Sequence, residues 1–222
     1  MIETHKLNED RYNYILSSFQ DAVMRNCSGE LYELQRKKNL IDEVKGSIYG
    51  AIGEQKVVKE LEKLSDEYIL INDFSISFNP PIYNRSENDH IMSIQVDHLL
   101  VGRSGVFIIE TKNWSQESLN NLSLRSPVSQ IKRTSFALFL LLNKESAGLS
   151  LGDHHWGRKK IALKSIIVMI NSKPAEEFQY VKVLTLNQLV NYIEYFPPTL
   201  TRRETEDIAD ELLRLADYPA MV

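Results

Sequence analysis

The sequence predicts an α/β fold: a mixed central β-sheet flanked by helices, with an N-terminal helical extension. Three observations predict it. Two β-rich apolar runs, Ile94 to Val101 and Val106 to Trp114, flank Gly102-Arg103-Ser104-Gly105 and read as a hairpin. Ile161 to Ile170, rich in Ile, Leu, Val and Met, reads as a strong buried strand. Helical and strand periodicities follow one another in the order helix, three strands, helix, two strands, helix.

Residues 8 to 47 have helical spacing, with Tyr12, Ile15, Phe19 and Val23 in register, and Cys27-Ser28-Gly29 predicts a break. Leu31 to Val44 is then a second, more charged helix. This extension, residues 1–47, is expected to pack on the main domain or to form a homo-oligomer contact. Tyr49 to Leu64 reads as the next helix, with Val57, Val58, Leu61 and Leu64 as its apolar stripe. A strand follows near Tyr68 to Phe78, where Phe74, Ile76 and Phe78 alternate with Ser75 and Ser77. Pro80-Pro81 and many polar residues make Asn79 to Asp89 a predicted loop before the hairpin.

Ser126-Pro127 fits a helix start, and that helix carries Gln130, Lys132, Arg133 and the apolar run to Leu142. Residues 144 to 158 read as a polar loop. Tyr180 to Leu184 is the second late strand. Helices are predicted at Leu186 to Tyr195 and Arg202 to Leu215, the latter opened by the capping-box pattern Thr201-x-x-Glu204. The expected boundaries are a core over 48–196 and a C-terminal helix over 197–222 packed on it.

The single cysteine, Cys27, excludes an intrachain disulfide and is consistent with a cytoplasmic protein. No apolar run is long enough for a membrane span, and Met1 to Lys6 lacks the apolar centre of a secretory signal. A net charge of −4 argues against a nonspecific nucleic-acid coat. The short basic runs Arg36-Lys37-Lys38, Lys132-Arg133, Arg158-Lys159-Lys160 and Arg202-Arg203 each fit a solvated face.

The hairpin carries charge where core strands are apolar. Gln95, Asp97, Leu99 and Val101 share one face, as do Val106, Ile108, Glu110 and Lys112. If Val101 pairs with Val106, Asp97 falls opposite Glu110, and Gln95 opposite Lys112. Like charges directly opposite one another destabilise a sheet, and a cation reverses that cost. Two carboxylates beside a lysine suit Mg²⁺, which favours hard oxygen ligands. A strand end emerging into water would also place Glu110 and Lys112 as a solvated pair, but it does not require a second acid at the height of Asp97.

Glu54 precedes Val57, Val58 and Leu61 at i+3, i+4 and i+7, which puts it on the core-facing stripe. A carboxylate there is costly unless paired or metal-bound. The same position also suits a wet first-turn carboxylate on the helix dipole, and both readings stand. Asp153-His154-His155 offers metal-ligand chemistry but reads as a solvated turn, and His98 reads as a packed residue.

These residues resemble the NERD (nuclease-related domain) family, a branch of the PD-(D/E)XK nuclease-like superfamily. The resemblance rests on Gly50-x-x-Gly53-Glu54, Gln95-Val96-Asp97-His98, Gly105-Val106-Phe107-Ile108-Ile109-Glu110-Thr111-Lys112-Asn113-Trp114 and Pro127-Val128-x-Gln130. It covers roughly residues 48 to 190. It implies a restriction-endonuclease-like core with Glu54, Asp97, Glu110 and Lys112 as the catalytic set.

The expected function is therefore metal-dependent hydrolysis of phosphodiester bonds, in DNA before RNA. Asp97, Glu110 and Glu54, with the Thr111 carbonyl, are the expected ligands of Mg²⁺ or Mn²⁺. Gln95, Gln130, Arg133 and Trp114 are the expected substrate contacts. The rival expectation is a noncatalytic nucleic-acid- or protein-binding module on the same fold, which the acidic net charge favours.

Overall fold

The computed structural model describes residues 2–114, 125–143, 149, 153–154, 157–174 and 176–217. The elements are helix α1 (Ile2–Leu61), strands β1 (Ile69–Asn84), β2 (Asp89–Gly102) and β3 (Gly105–Lys112), and helix α2 (Arg125–Asn143). The short strands β4 (Asp153–His154) and β5 (Gly157–Arg158) follow, then β6 (Leu163–Met169) and β7 (Val181–Thr185). A 3₁₀ turn (Leu186–Gln188) leads into α3 (Leu189–Glu194), and α4 (Arg202–Asp217) is last. Among the described residues, no helix is long and apolar enough to cross a membrane.

The chain divides into two compact units, Met1–Tyr49 and Gly50–Val222. The first consists of α1 residues, whose apolar side chains Tyr12, Phe19, Leu34 and Ile41 are exposed. The break expected at Cys27-Ser28-Gly29 is absent, and α1 runs through it. A single glycine costs a helix only about 1 kcal/mol, which good helix formers on either side offset.

The second unit holds an open five-stranded sheet in the order β1-β2-β3-β6-β7. The β1–β2 and β2–β3 pairs are antiparallel, whereas β3–β6 and β6–β7 are parallel. The mixed sheet has a simple origin: a two-residue turn joins β2 to β3, while the chain from β3 to β6 crosses over through α2. Successive side chains alternate between two cores. Leu99, Val101, Val106, Ile108 and Ile167 pack with Ile131 and Leu138 of α2 and Ile208 and Leu212 of α4. Leu100, Phe107, Ile109 and Ile166 pack with Val57 and Leu61 of α1 and Ile193 of α3.

The predicted hairpin register holds from Gly102↔Gly105 to His98↔Ile109. Gly105 has φ 118°, and a Cβ there would fall on the Ala162 carbonyl oxygen, which already accepts the Val106 N–H at 3.0 Å. Gly105→Ala should therefore lose roughly 2–4 kcal/mol of stability through strain and displacement of that bond. A denaturant midpoint equal to wild type would contradict this placement.

The expected loop over Asn79 to Asp89 is largely strand. β1 continues to Asn84 through a cis Asn79–Pro80 bond, with a register shift between Ser77 and Ile82. Proline cannot donate to a ladder, but β1 is an edge strand and the shift accommodates the pair. The capping box of α4 forms as expected: the Thr201 N–H donates to Glu204 Oε2 at 2.6 Å, and the Glu204 N–H to Thr201 Oγ1 at 3.2 Å.

Candidate active site

The site lies where β2 and β3 part. Their ladder ends at His98↔Ile109, one pair short of Asp97 and Glu110. The Asp97 side chain replaces the next rung, with Oδ2 accepting the Thr111 N–H at 2.6 Å. Two carboxylates on facing positions thus meet at a strand opening rather than inside a closed ladder. Glu110 is buried, and its Oε1 accepts from Lys112 Nζ at 2.7 Å. That bond joins residues two apart on one strand face.

Glu54 reaches this end of the sheet because Gly53 allows α1 to approach closely. A Cβ on Gly53 would lie 3.0 Å from Asn113 Cβ and 3.3 Å from Thr111 Cγ2. Glu54 itself is half-buried, one turn before buried Val57. It is not the first-turn carboxylate that the sequence also allowed, because α1 runs unbroken from Ile2.

The carboxylates perturb one another. Burial raises the Glu110 pKa above its ordinary value, and Asp97 raises it further; Lys112 pulls it back through charge and hydrogen bond, and Glu54 adds a smaller push upward. Burial also raises Glu54, followed by Asp97 and Asp73, against the opposing pull of Lys112. These groups share one electrostatic environment, in which Lys112 opposes the combined effect of burial and neighbouring carboxylates.

Asp73 is the residue that sequence reasoning missed. On β1 it falls between the pairs Asn72↔His98 and Phe74↔Val96, level with Asp97, and its φ is 52°. A non-glycine residue in that region is uncommon, and aspartate is among those enriched there. The only sequence signal is its place just before the alternating Phe74-Ser75-Ile76 run.

His98 is buried, as expected, and its Nδ1 lies 2.8 Å from Asn72 Oδ1. Burial lowers its pKa, opposed by Asp97 and Asp73. Thr111 Oγ1 is buried without a hydrogen-bond partner among the described residues.

The expected substrate contacts are dispersed. Gln95 is exposed and pairs with Ser75 on β1; the expected pairing with Lys112 does not form, because β3 has ended its pairing with β2 by that height. Gln130 is exposed in the early turns of α2. Trp114 is half-buried and packs against the core. Arg133 is held by Asp89, with Nε 2.6 Å from Oδ2, and by the His90 carbonyl at 3.2 Å. Of Asp153-His154-His155, the first two form β4, while their side chains and all of His155 lie outside the described residues.

Among the described residues, no group of three or more His, Cys, Asp or Glu side chains is drawn together at ion-holding spacing. The donor chemistry still fits a hard divalent cation: the candidate ligands are oxygens, and burial first, then neighbouring carboxylates, raises the Glu54 and Glu110 pKa values.

The family model described as nuclease-related domain (NERD) matches residues 49–170, more than half of the chain. No curated protein and no solved structure matches the chain. The matched stretch contains Glu54, Asp97, Glu110 and Lys112.

Proposed function

The chain belongs to the nuclease-related domain family, in the PD-(D/E)XK nuclease-like superfamily, and from that premise we propose that it is a metal-dependent phosphodiesterase acting on DNA. The observation that carries this reading is the meeting of Asp97 and Glu110 at the opening of β2 and β3, with Lys112 bonded to Glu110.

Asp97 and Glu110 would hold Mg²⁺ or Mn²⁺, with Glu54 and the Thr111 carbonyl completing an oxygen set. Such an ion, when bound, polarises the phosphate and lowers the pKa of water. Lys112 supplies an ammonium to orient the nucleophile and stabilise charge on the phosphate. Glu110 keeps that ammonium in place through the 2.7 Å bond. Gln130 is offered early in α2, where the positive end of the helix dipole favours a phosphate. Gln95 and Trp114 are the further contacts proposed. Arg133 stays in the proposed set, since its solvent-exposed ion pair with Asp89 at the β1–β2 turn exchanges for a phosphate at little cost.

The test is a panel of end-labelled single-stranded, duplex and branched DNA and RNA, incubated with Mn²⁺ or Mg²⁺. Chelator-sensitive cleavage of a DNA member is the expected result. Metal-independent binding with no cleavage of any member would select the noncatalytic module instead. Two observations favour that second reading: the net charge of −4, and the lack of a tight ligand cluster among the described residues.

We also propose that α1 residues of the first unit pair with a second copy of the chain. Their apolar side chains are exposed, and an isolated helix gains little stability unless it buries such a face. A monomer at every concentration in sedimentation equilibrium would remove this proposal.

A further inference from the structure

At the β7 edge of the sheet lies an open cleft of about 810 Å³, bounded by α2, the first residues of β6 and β7, and the end of α3. Among its described lining residues are four lysines, Lys132, Lys160, Lys164 and Lys182, and no carboxylate. That is unusual in a chain of net charge −4. Two of the four come from short basic runs that divide. Arg133 and Lys159 turn to Asp89 and Glu204 as ion pairs. Their neighbours Lys132 and Lys160 turn to the cleft.

The lysines are interleaved with aromatic rings. Lys160 Nζ lies 5.9 Å from the centroid of Phe139, which is itself 38% exposed. Lys164 is part of the floor: its Nζ donates to the Ser104 carbonyl at 2.6 Å and sits over Phe107 and Phe196. Tyr180 is 80% exposed and has φ 67°. It is a central residue of the tight turn closed by the Phe178↔Val181 bridge, which leaves its ring in solvent beside the cleft.

We propose that this cleft is a second nucleic-acid site, which holds a single-stranded segment of the substrate. Lysines carry the phosphates, while Phe139 and Tyr180 offer stacking faces to the bases. Charge complementarity favours a polyanion, and exposed rings beside the charges favour one that carries aromatic bases over an acidic peptide. The cleft and the candidate active site lie toward opposite ends of β6. Leu163 pairs with Val106 and Met169 with Lys112, so about 20 Å of strand separates them. The inference rests on the nucleic-acid reading of the site but not on cleavage.

The experiment measures anisotropy of a labelled, ~16-nucleotide oligothymidylate with the full chain in chelator, so that no cleavage occurs. Lys132→Ala/Lys182→Ala should weaken binding about tenfold at roughly 50 mM salt, and should reduce the salt slope by about 1.4. Tyr180→Ala should weaken it about fivefold or more, and Tyr180→Phe should restore it. Unfolding midpoints equal to wild type exclude a folding defect in these surface variants; any variant that fails this check is replaced by Lys182→Glu. Unchanged affinity and salt slope would overturn the inference, as would no binding by wild type. Equal competition by polyglutamate of matched charge would also overturn it, by reducing the cleft to a charge-only or peptide site. Binding lost in the cleft variants, with no metal-dependent cleavage by wild type, would uphold the cleft and remove the catalytic proposal. Cleavage retained with binding unmoved would do the reverse.

Discussion

Lys112→Ala should lower the rate of metal-dependent DNA cleavage by about 10²–10³-fold, the usual consequence of losing one well-placed electrostatic donor. Its proposed work is on the nucleophile and the phosphate, so the thermal shift produced by Mn²⁺ should persist. Lys112→Arg should not restore full activity. A planar guanidinium spreads charge that an ammonium concentrates, and the 2.7 Å contact with buried Glu110 leaves little room for it. Full activity in Lys112→Ala, from a preparation free of contaminating nuclease, would move the active site elsewhere.

Glu110→Gln should have the largest effect on metal-linked stability. At about 100 times its Kd, a ligand selective for the folded state adds about 2.7 kcal/mol, a rise in Tm of roughly 5–10 °C for a chain of this size. The variant should lose that rise. Its apoprotein should also be more stable than apo wild type at neutral pH. Burial and Asp97 raise the Glu110 pKa in the folded state, so its protonated form favours folding. That contribution is complete below the ordinary carboxylate pKa and is lost as pH rises through the raised value. Above it, ionised Glu110 opposes folding, and the amide does not. The apo variant and apo wild type should therefore converge at low pH. An equal Mn²⁺ response in both proteins would place the ion away from Glu110.

Much of this site was legible in the sequence because a hairpin constrains its residues tightly. Glycines at 102 and 105 set the turn, and alternation of apolar residues along both arms set the register. The observed pairs Val101↔Val106 and His98↔Ile109 follow that register. What it did not foretell was the opening beyond His98, because ladder patterns carry no sign that a side chain will take over a rung. Asp97 does so by binding the Thr111 N–H.

Other features depended on contacts remote in sequence. Asp73 was hidden because its meaning comes from lying level with Asp97 across β1 and β2. The pairing of Arg133 with Asp89, 44 residues away, left no trace in the local sequence. Pro80-Pro81 spoke for a loop, and only an edge position with a register shift lets β1 continue through it. Gly29 spoke for a break, yet one glycine lacks the energy to end a long helix.

The most direct measurement of the central claim is cleavage of a labelled DNA substrate by wild type and Asp97→Asn, purified side by side, with Mn²⁺ and then with excess chelator. Wild type should cleave, chelation should stop it and fresh Mn²⁺ restore it, and Asp97→Asn should lose about 10²-fold or more. Equal cleavage by the two proteins, or cleavage indifferent to chelation, would contradict that claim.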